Sequence, residues 1–273
     1  MTRTTGIKVR DTILWVDDTG ETNLPVILCF HSLWLDRTMF DGLVEAARGK
    51  YRVICPDFRG QGLSAPATEE IVTMEDCAED MEALITAMGL SNVHVVAQSM
   101  GGDVALRLAA KRPDLIASLT MAGSSARGEP PEQLAWVDTW LESAAKDKGF
   151  KGENLETLMV VMFGETSRNT AALAPMLNHW RDKMEACTMS LWPAIWGVIK
   201  RKSVVELLLS ITTPTLILSG TEDMPRPPEW ADEVAAGLPN AKLVRLEKVG
   251  HSPTLEAPDM VIPEILSFLE SVK

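Results

Sequence analysis

The stretch that decides the fold is Val93–Asp103, with the sequence V-H-V-V-A-Q-S-M-G-G-D. An apolar, β-branched run leads into a serine between small residues, and a helical pattern follows. This order predicts a strand, a tight and strained turn that carries Ser99, and a helix that begins at Met100. Ala97 and Gly101 are small enough for the strand and the helix to approach each other, although glycine is usual at the first position. Ser99 is therefore a candidate nucleophile, the alternative being a serine that only caps the helix.

Short apolar runs of the same kind recur on both sides of this stretch. The predicted strands are Ile7–Arg10, Ile13–Asp17, Val26–Phe30, Tyr51–Cys55, Val93–Ala97, Leu115–Met121, Thr215–Ser219 and Lys242–Leu246. The predicted helices between and after them run from about Thr73 to Met88 and over Met100–Arg112, Pro228–Gly237 and Pro258–Val272. Because strands and helices alternate, we expect an α/β fold with a mostly parallel, eight-stranded sheet and helices on both faces.

Residues 127–205 interrupt this alternation, because helical patterns there follow one another without a strand. The predicted helices are Pro131–Lys146, Leu155–Phe163, Thr170–Cys187 and Leu191–Lys200. We therefore expect two domains: an α/β core of residues 1–126 and 206–273, and a helical cap of residues 127–205. The cap carries 10 basic and 10 acidic residues, so the net charge of −12 belongs to the core. The cap also holds five of the eight tryptophans.

Composition excludes several classes of protein. Of the 273 residues, 46% are hydrophobic and 23% are charged, the balance of a globular chain. A net charge of −12 repels phosphate backbones and argues against a nucleic-acid partner. The apolar runs are well short of the roughly 20 residues that span a bilayer, and no secretory signal is present, so we expect a cytoplasmic protein. The four cysteines and four histidines show no metal-ligand spacing, and we expect buried free thiols and no metal or cofactor.

Two further polar residues follow predicted strands and complete a candidate catalytic triad. Asp223 lies in G-T-E-D after the next-to-last strand, and His251 lies in G-H-S-P after the last strand. Each motif alone is weak, but Ser99, Asp223 and His251 stand at three strand ends in the order nucleophile, acid, histidine. We predict a triad of these three residues, with Glu222 as the alternative acid.

Acyl transfer by such a triad also needs two backbone N–H groups that stabilise the developing oxyanion. We predict that Met100, directly after the nucleophile, supplies one of them. Leu33, in the loop Phe30–Asp36 with the sequence F-H-S-L-W-L-D, supplies the other. His31 in the same loop is interpreted as a residue that braces the loop. Asp57–Ser64, D-F-R-G-Q-G-L-S, is interpreted as a structural turn beneath the site.

The chain resembles the α/β-hydrolase superfamily through H-S-L-W-L-D, D-F-R-G-Q-G-L-S, A-Q-S-M-G-G, G-T-E-D and G-H-S-P. Within it, the chain is most similar to the branch of 3-oxoadipate enol-lactonase-like proteins and small carboxylesterases. The residues that carry this likeness are Ser32–Leu33, Asp36, Met39, Met100–Gly102 and Ala122–Arg127, together with the length of the helical insert. The resemblance implies that residues 127–205 cap Ser99, and that the activity is hydrolysis of a carboxylic ester or lactone through an acyl-enzyme on Ser99. The chain departs from the family pattern at Ala97, at Ser32 and in its tryptophan-rich cap.

The predicted cap sets the expected substrate. If its large side chains line a pocket rather than only pack on the core, the substrate is bulky, uncharged and largely apolar or aromatic. The same tryptophan-rich surface could equally form the face of a homodimer. The residues predicted to contact substrate are Trp34, Trp136, Trp140, Met159, Met162, His179, Trp192 and Trp196.

The residue inventory separates related chemistries. Haloalkane dehalogenases and epoxide hydrolases use an aspartate where this chain has Ser99, and the two cap tyrosines of epoxide hydrolases have no counterpart because Tyr51 is the only tyrosine. Meta-cleavage carbon–carbon hydrolases usually have a glycine-rich oxyanion loop, which is absent here. Two alternatives stay open: cofactor-free perhydrolase or haloperoxidase chemistry on the same triad, and a ligand receptor of this fold that hydrolyses slowly.

Overall fold

The computed structural model describes residues 2–272, and within them a single eight-stranded sheet forms the centre of the fold. The strand order is β1-β2-β4-β3-β5-β6-β7-β8. β2 is antiparallel to β1 and β4, and all other neighbouring strands are parallel, as predicted. The strands are β1 (Arg3–Val9), β2 (Thr12–Asp18), β3 (Val26–Phe30), β4 (Arg52–Pro56), β5 (Val93–Gln98), β6 (Ile116–Ala122), β7 (Thr215–Gly220) and β8 (Ala241–Leu246).

Six of the helices accompany the sheet, and five follow one another between β6 and β7. The first group is α1 (Asp41–Ala47), α2 (Met74–Ala87), α3 (Met100–Lys111), α9 (Pro228–Gly237), α10 (Pro253–Glu256) and α11 (Pro258–Ser271). The second group is α4 (Pro131–Lys146), α5 (Glu153–Met162), α6 (Glu165–Arg168), α7 (Ala174–Glu185) and α8 (Trp192–Ile199). We call the segment from α4 to α8 the helical insertion.

Local sequence explains where α2 begins. Thr73 and Asp76 form a capping box there, since the Asp76 N–H donates to Thr73 Oγ1 and the Thr73 N–H donates to Asp76 Oδ2, both at 3.1 Å. The helix predicted over Thr170–Cys187 is present but differs at its ends: a short 3-10 helix occupies Ala171–Leu173, and α7 runs from Ala174 to Glu185. The short helices α1, α6 and α10 were not predicted from the sequence, because four to seven residues are too few for a clear helical period.

The parallel strands carry their functional loops to one edge of the sheet. β3, β5, β7 and β8 run in the same direction, so the loops after their carboxyl ends lie near one another. Within residues 2–272, no helix has both the length and the apolar character that crossing a membrane requires.

Candidate active site

Ser99 lies in the sharp turn that joins β5 to α3. Its backbone has φ +51° and ψ −116°, a left-handed conformation that a non-glycine residue adopts at a cost of about 1–3 kcal/mol. Ala97, at the predicted small position two residues earlier, is fully buried and pairs with Phe30 on β3 and Met121 on β6. The strained turn separates Ser99 from both regular elements and presents its side chain at the edge of the sheet.

The glycines after Ser99 allow α3 to pack closely on the sheet. A Cβ atom at Gly101 would overlap the carbonyl oxygen of Phe30, and one at Gly102 would overlap the hydroxyl of Ser124. The Ser124 hydroxyl lies 3.1 Å from the Ser99 carbonyl oxygen, to which it donates. Small residues are therefore required on this side of the turn, as the sequence analysis predicted.

The structure brings Ser99, His251 and Asp223 into one hydrogen-bonded chain. His251 Nε2 is 2.8 Å from Ser99 Oγ, and His251 Nδ1 is 2.9 Å from Asp223 Oδ1. All three side chains are buried. The backbone N–H of Arg226 donates to the same Asp223 oxygen at 2.9 Å, which helps to fix the carboxylate.

Glu222, the alternative acid, faces away from His251. One of its carboxylate oxygens accepts the Thr166 N–H at 2.7 Å, and the other accepts the Thr166 hydroxyl at 2.5 Å. These hydrogen bonds outweigh the effect of burial and hold the pKa of Glu222 below its usual value. Of the two neighbouring carboxylates, the geometry brings only Asp223 to the imidazole.

The two predicted oxyanion-hole residues are Leu33, which lines the same cavity as Ser99, and Met100, which directly follows Ser99. Met100 is the first residue of α3, where a backbone N–H has no acceptor within its own helix. His31 braces the Leu33 loop: its Nε2 accepts the Phe58 N–H at 3.0 Å, and its Nδ1 lies 2.8 Å from the Ser32 carbonyl oxygen. Burial lowers the pKa of His31, and the hydrogen bond that Nε2 accepts from Phe58 requires this nitrogen to carry no proton.

A cavity of about 300 Å³ opens above Ser99 between the sheet and the helical insertion. Ser99 and His251 lie in its wall together with residues of α4, α5 and α8. Its aromatic side is a cluster in which the rings of Trp136 and Trp140 stack at 5.5 Å and those of Trp34 and Trp140 meet at 5.8 Å. The lining residues are Ser32, Leu33, Trp34, Ser99, Glu129, Glu132, Gln133, Trp136, Val137, Trp140, Val161, Met162, Val198, Ile199, Met224, Pro225, Arg226 and His251.

Half of the residues predicted to contact substrate lie in this wall, namely Trp34, Trp136, Trp140 and Met162.

The other four lie elsewhere. Met159 is buried on α5, and Trp192 packs on Phe150 with ring centroids 5.5 Å apart. His179 is exposed beside Trp180, and Trp196 lies under the Lys200 ammonium, 4.6 Å from it. Helical spacing alone could not tell the cavity face of a helix from its packing face.

Glu129 and Arg226 of the cavity wall belong to a buried charge cluster that includes Asp103 and Arg201 and that was not predicted from the sequence. Glu129 Oε1 accepts from Arg201 at 2.6 Å and from Arg226 at 2.8 Å, and Asp103 lies 3.4 Å from Arg201 and 3.7 Å from Arg226. Burial raises the pKa of Asp103, whereas both arginines outweigh burial and lower the pKa of Glu129. Arg201 and Arg226 are 72 and 97 residues away from Glu129 in the sequence, so no local sequence pattern indicates that they meet.

The chain is similar to known proteins in both sequence and structure. A sequence model described as alpha/beta hydrolase fold matches residues 25–258. A thermophilic esterase from Thermogutta terrifontis is 30% identical, with 99% of each chain covered and a TM-score of 0.85. The enol-lactonase from Burkholderia xenovorans LB400 is 25% identical over 97% of this chain and 100% of that chain, with a TM-score of 0.88. Among curated proteins, 2-hydroxy-6-oxononadienedioate/2-hydroxy-6-oxononatrienedioate hydrolase 1 from Dechloromonas aromatica (strain RCB) is 29% identical over 231 residues, 80% of this chain and 76% of the relative.

Proposed function

Because the chain belongs to the alpha/beta hydrolase family, we propose that it is a serine hydrolase that cleaves a bulky, uncharged carboxylic ester or lactone. The observation that carries this proposal is the hydrogen-bonded chain from Asp223 through His251 to Ser99, which ends in an apolar cavity. The likeness to an esterase and to an enol-lactonase supports the same class of reaction.

In the proposed acylation step, His251 Nε2 accepts the proton of Ser99 Oγ while this oxygen bonds to the carbonyl carbon of the substrate. The carbonyl π electrons move to oxygen, and the backbone N–H groups of Leu33 and Met100 stabilise the resulting oxyanion. When the intermediate collapses, the ester or lactone C–O bond breaks, and His251 returns the proton to the leaving oxygen. Asp223 orients the imidazole and stabilises its protonated form.

In the proposed deacylation step, water takes the place of the leaving group. His251 accepts a proton from water, and the hydroxide oxygen bonds to the acyl carbon of the Ser99 ester. The same two N–H groups stabilise the second oxyanion. The bond between the acyl carbon and Ser99 Oγ then breaks, and His251 returns the proton to Ser99 Oγ. A carboxylic acid leaves, and the free enzyme is restored.

The cavity wall supports an uncharged substrate with a large apolar part. Its volume of about 300 Å³ lies at the lower end of the range for small-molecule sites. Trp34, Trp136 and Trp140 provide broad apolar surface next to Ser99. The Glu129 carboxylate bonds to Arg226 and lies beside it in the cavity wall, so it offsets the positive charge that an anionic substrate would need.

The helical insertion is proposed to act as the cap over Ser99. Residues of α4, α5 and α8 contribute to the cavity wall, while the loops after β3, β5, β7 and β8 contribute Leu33, Ser99, Pro225 and His251. In this arrangement the sheet edge supplies the reaction chemistry, and the insertion covers it and shapes the space for substrate.

The proposal is tested with a panel of aryl esters and lactones, measured with wild type and Ser99→Ala. We expect wild type to hydrolyse aromatic and branched esters faster than a small dicarboxylate lactone, and Ser99→Ala to lose this activity. Full activity of Ser99→Ala would contradict the proposal. A parallel arm with hydrogen peroxide and short carboxylic acids measures perhydrolase activity, and a rate above hydrolysis there would favour that alternative.

A further inference from the structure

The carboxylate of Glu256 accepts backbone N–H groups on both sides of His251. Oε2 accepts from Gly250 at 3.0 Å, and Oε1 accepts from Ser252 at 2.8 Å. Glu256 is the last residue of α10 and is 6% exposed. A buried carboxylate is costly unless it is hydrogen-bonded, and here both oxygens are engaged by the loop that carries His251.

The same carboxylate also holds the helical insertion. Glu256 Oε2 accepts the Gly164 N–H at 2.9 Å, and the Ser252 hydroxyl donates to the Met162 carbonyl oxygen at 2.8 Å. Gly164 and Gly250 lie so close that a Cβ atom at Gly250 would overlap the Gly164 nitrogen. The segment between α5 and α6 is therefore fastened directly to the histidine loop.

Three donors converge on Glu256, which requires a side chain that only accepts hydrogen bonds. An ionised carboxylate meets this requirement with two oxygens. A glutamine has one acceptor oxygen and an NH2 group. Its NH2 group would therefore lie against the N–H of either Gly250 or Ser252, where no hydrogen bond can form. Glu256→Gln therefore keeps the size of the side chain but removes the anchor on one side of His251.

We infer that Glu256 is a positioning residue, which fixes the backbone on both sides of His251 and so holds the imidazole between Ser99 and Asp223. This inference rests on the proposed function only for its effect on catalysis, since the geometry of the His251 loop can be observed without substrate. Glu256 acts through His251 and does not line the cavity.

The test compares wild type, Glu256→Gln and Glu222→Gln. Glu222→Gln is the matched control, because it also replaces a carboxylate that is bonded to the insertion by an amide of the same size. Glu222 accepts hydrogen bonds from Thr166 and none from Gly250 or Ser252. Two kinds of data are collected: the downfield proton resonance of the His251 Nδ1–H in the bond to Asp223, and kcat and KM for an aryl ester. We expect Glu256→Gln to broaden or lose the resonance, and to lower kcat about 10- to 100-fold with little change in KM.

The outcomes separate this inference from the proposed function. A folded Glu256→Gln protein that keeps the wild-type resonance and the wild-type kcat overturns the inference, as does an equal change in Glu222→Gln. If wild type lacks esterase activity, the proposed function fails, and the resonance alone decides the positioning role. If Glu256→Gln does not fold, hydrogen exchange in wild type decides: slow exchange of the Gly250 and Ser252 amides supports the inference, and exchange at the rate of exposed loop amides overturns it.

Discussion

The sheet edge and the helical insertion meet at the same cavity, but they contribute to it in different ways. The sheet edge supplies Ser99, Asp223 and His251 from short motifs that directly follow strands. The insertion supplies wall residues that are scattered over three helices, with no motif among them. Local backbone geometry thus fixes the candidate reacting groups, whereas the shape of the cavity depends on how whole helices pack.

Polar contacts join these two regions at the loops that carry the candidate triad and oxyanion hole. Lys183 of α7 donates to Asp36 at 2.6 Å, beside the Leu33 loop, and Thr166 donates to Glu222, beside Asp223. Glu256 makes the third link, to Gly164. The insertion is thus bonded to the loops that carry Leu33, Asp223 and His251, and a change in either region can alter the other.

The largest expected effect comes from removing the imidazole at the sheet edge. His251→Ala leaves Ser99 without a general base, and we expect kcat for an aryl ester to fall on the order of 10⁴- to 10⁶-fold. Steady-state kinetics measures this loss, and circular dichroism checks the fold. A reduction of less than tenfold would mean that the chemistry does not pass through His251.

The next effect distinguishes two neighbouring carboxylates. Asp223→Asn removes the acceptor that orients His251 and should lower kcat on the order of 10²- to 10⁴-fold. Glu222→Gln changes a residue that contacts the insertion, so its kcat should stay within about threefold of wild type. Comparable losses in both variants would contradict the assignment of Asp223 as the acid.

A smaller effect is expected in the insertion, where two tryptophans make a matched pair. Trp136 lines the cavity and is 48% exposed, whereas Trp196 stacks with Lys200 outside it. Trp136→Ala should raise KM for a bulky aryl ester about tenfold and leave kcat nearly unchanged, because it removes apolar contact with bound substrate. Trp196→Ala is the control, and an equal rise in KM there would show that the cavity wall is wrongly assigned.

The smallest effect concerns stability at the sheet edge. Burial lowers the pKa of His31 from its usual value of about 6.5. Below about pH 6.5 the unfolded chain binds a proton that folded His31 does not, so the free energy of unfolding falls as the pH decreases, by at most about 1.4 kcal/mol per pH unit. In urea unfolding between about pH 7 and pH 5, His31→Asn should show a shallower pH dependence than wild type. Parallel curves for the two proteins would contradict a neutral, buried His31.

Much of the sheet edge could be predicted from the sequence because its signals are local. The strand before Ser99, the small residues around the turn and the order of Ser99, Asp223 and His251 are all readable along the chain. The choice between Asp223 and Glu222 was not readable, since the two are neighbours and differ only in the direction of their side chains. The structure separates them through Thr166, which is 56 residues away from Glu222 in sequence.

The insertion was predictable only as a set of helices. Trp136 and Trp140 lie in the cavity wall, whereas Trp192 and Trp196, with the same spacing on α8, do not. Periodicity identifies one apolar face of a helix but not which neighbour that face meets. For the same reason the roles of Glu129 and Arg226, whose partners are distant in sequence, emerged only from the fold.

Mass spectrometry of rapidly quenched reactions with an aryl ester is the most direct test of whether the acyl group is transferred to Ser99. We expect a transient adduct with the mass of the acyl group on the peptide that contains Ser99, formed in wild type and missing in Ser99→Ala. Turnover of the ester with the adduct on another residue, or turnover by Ser99→Ala at the wild-type rate, would contradict this expectation.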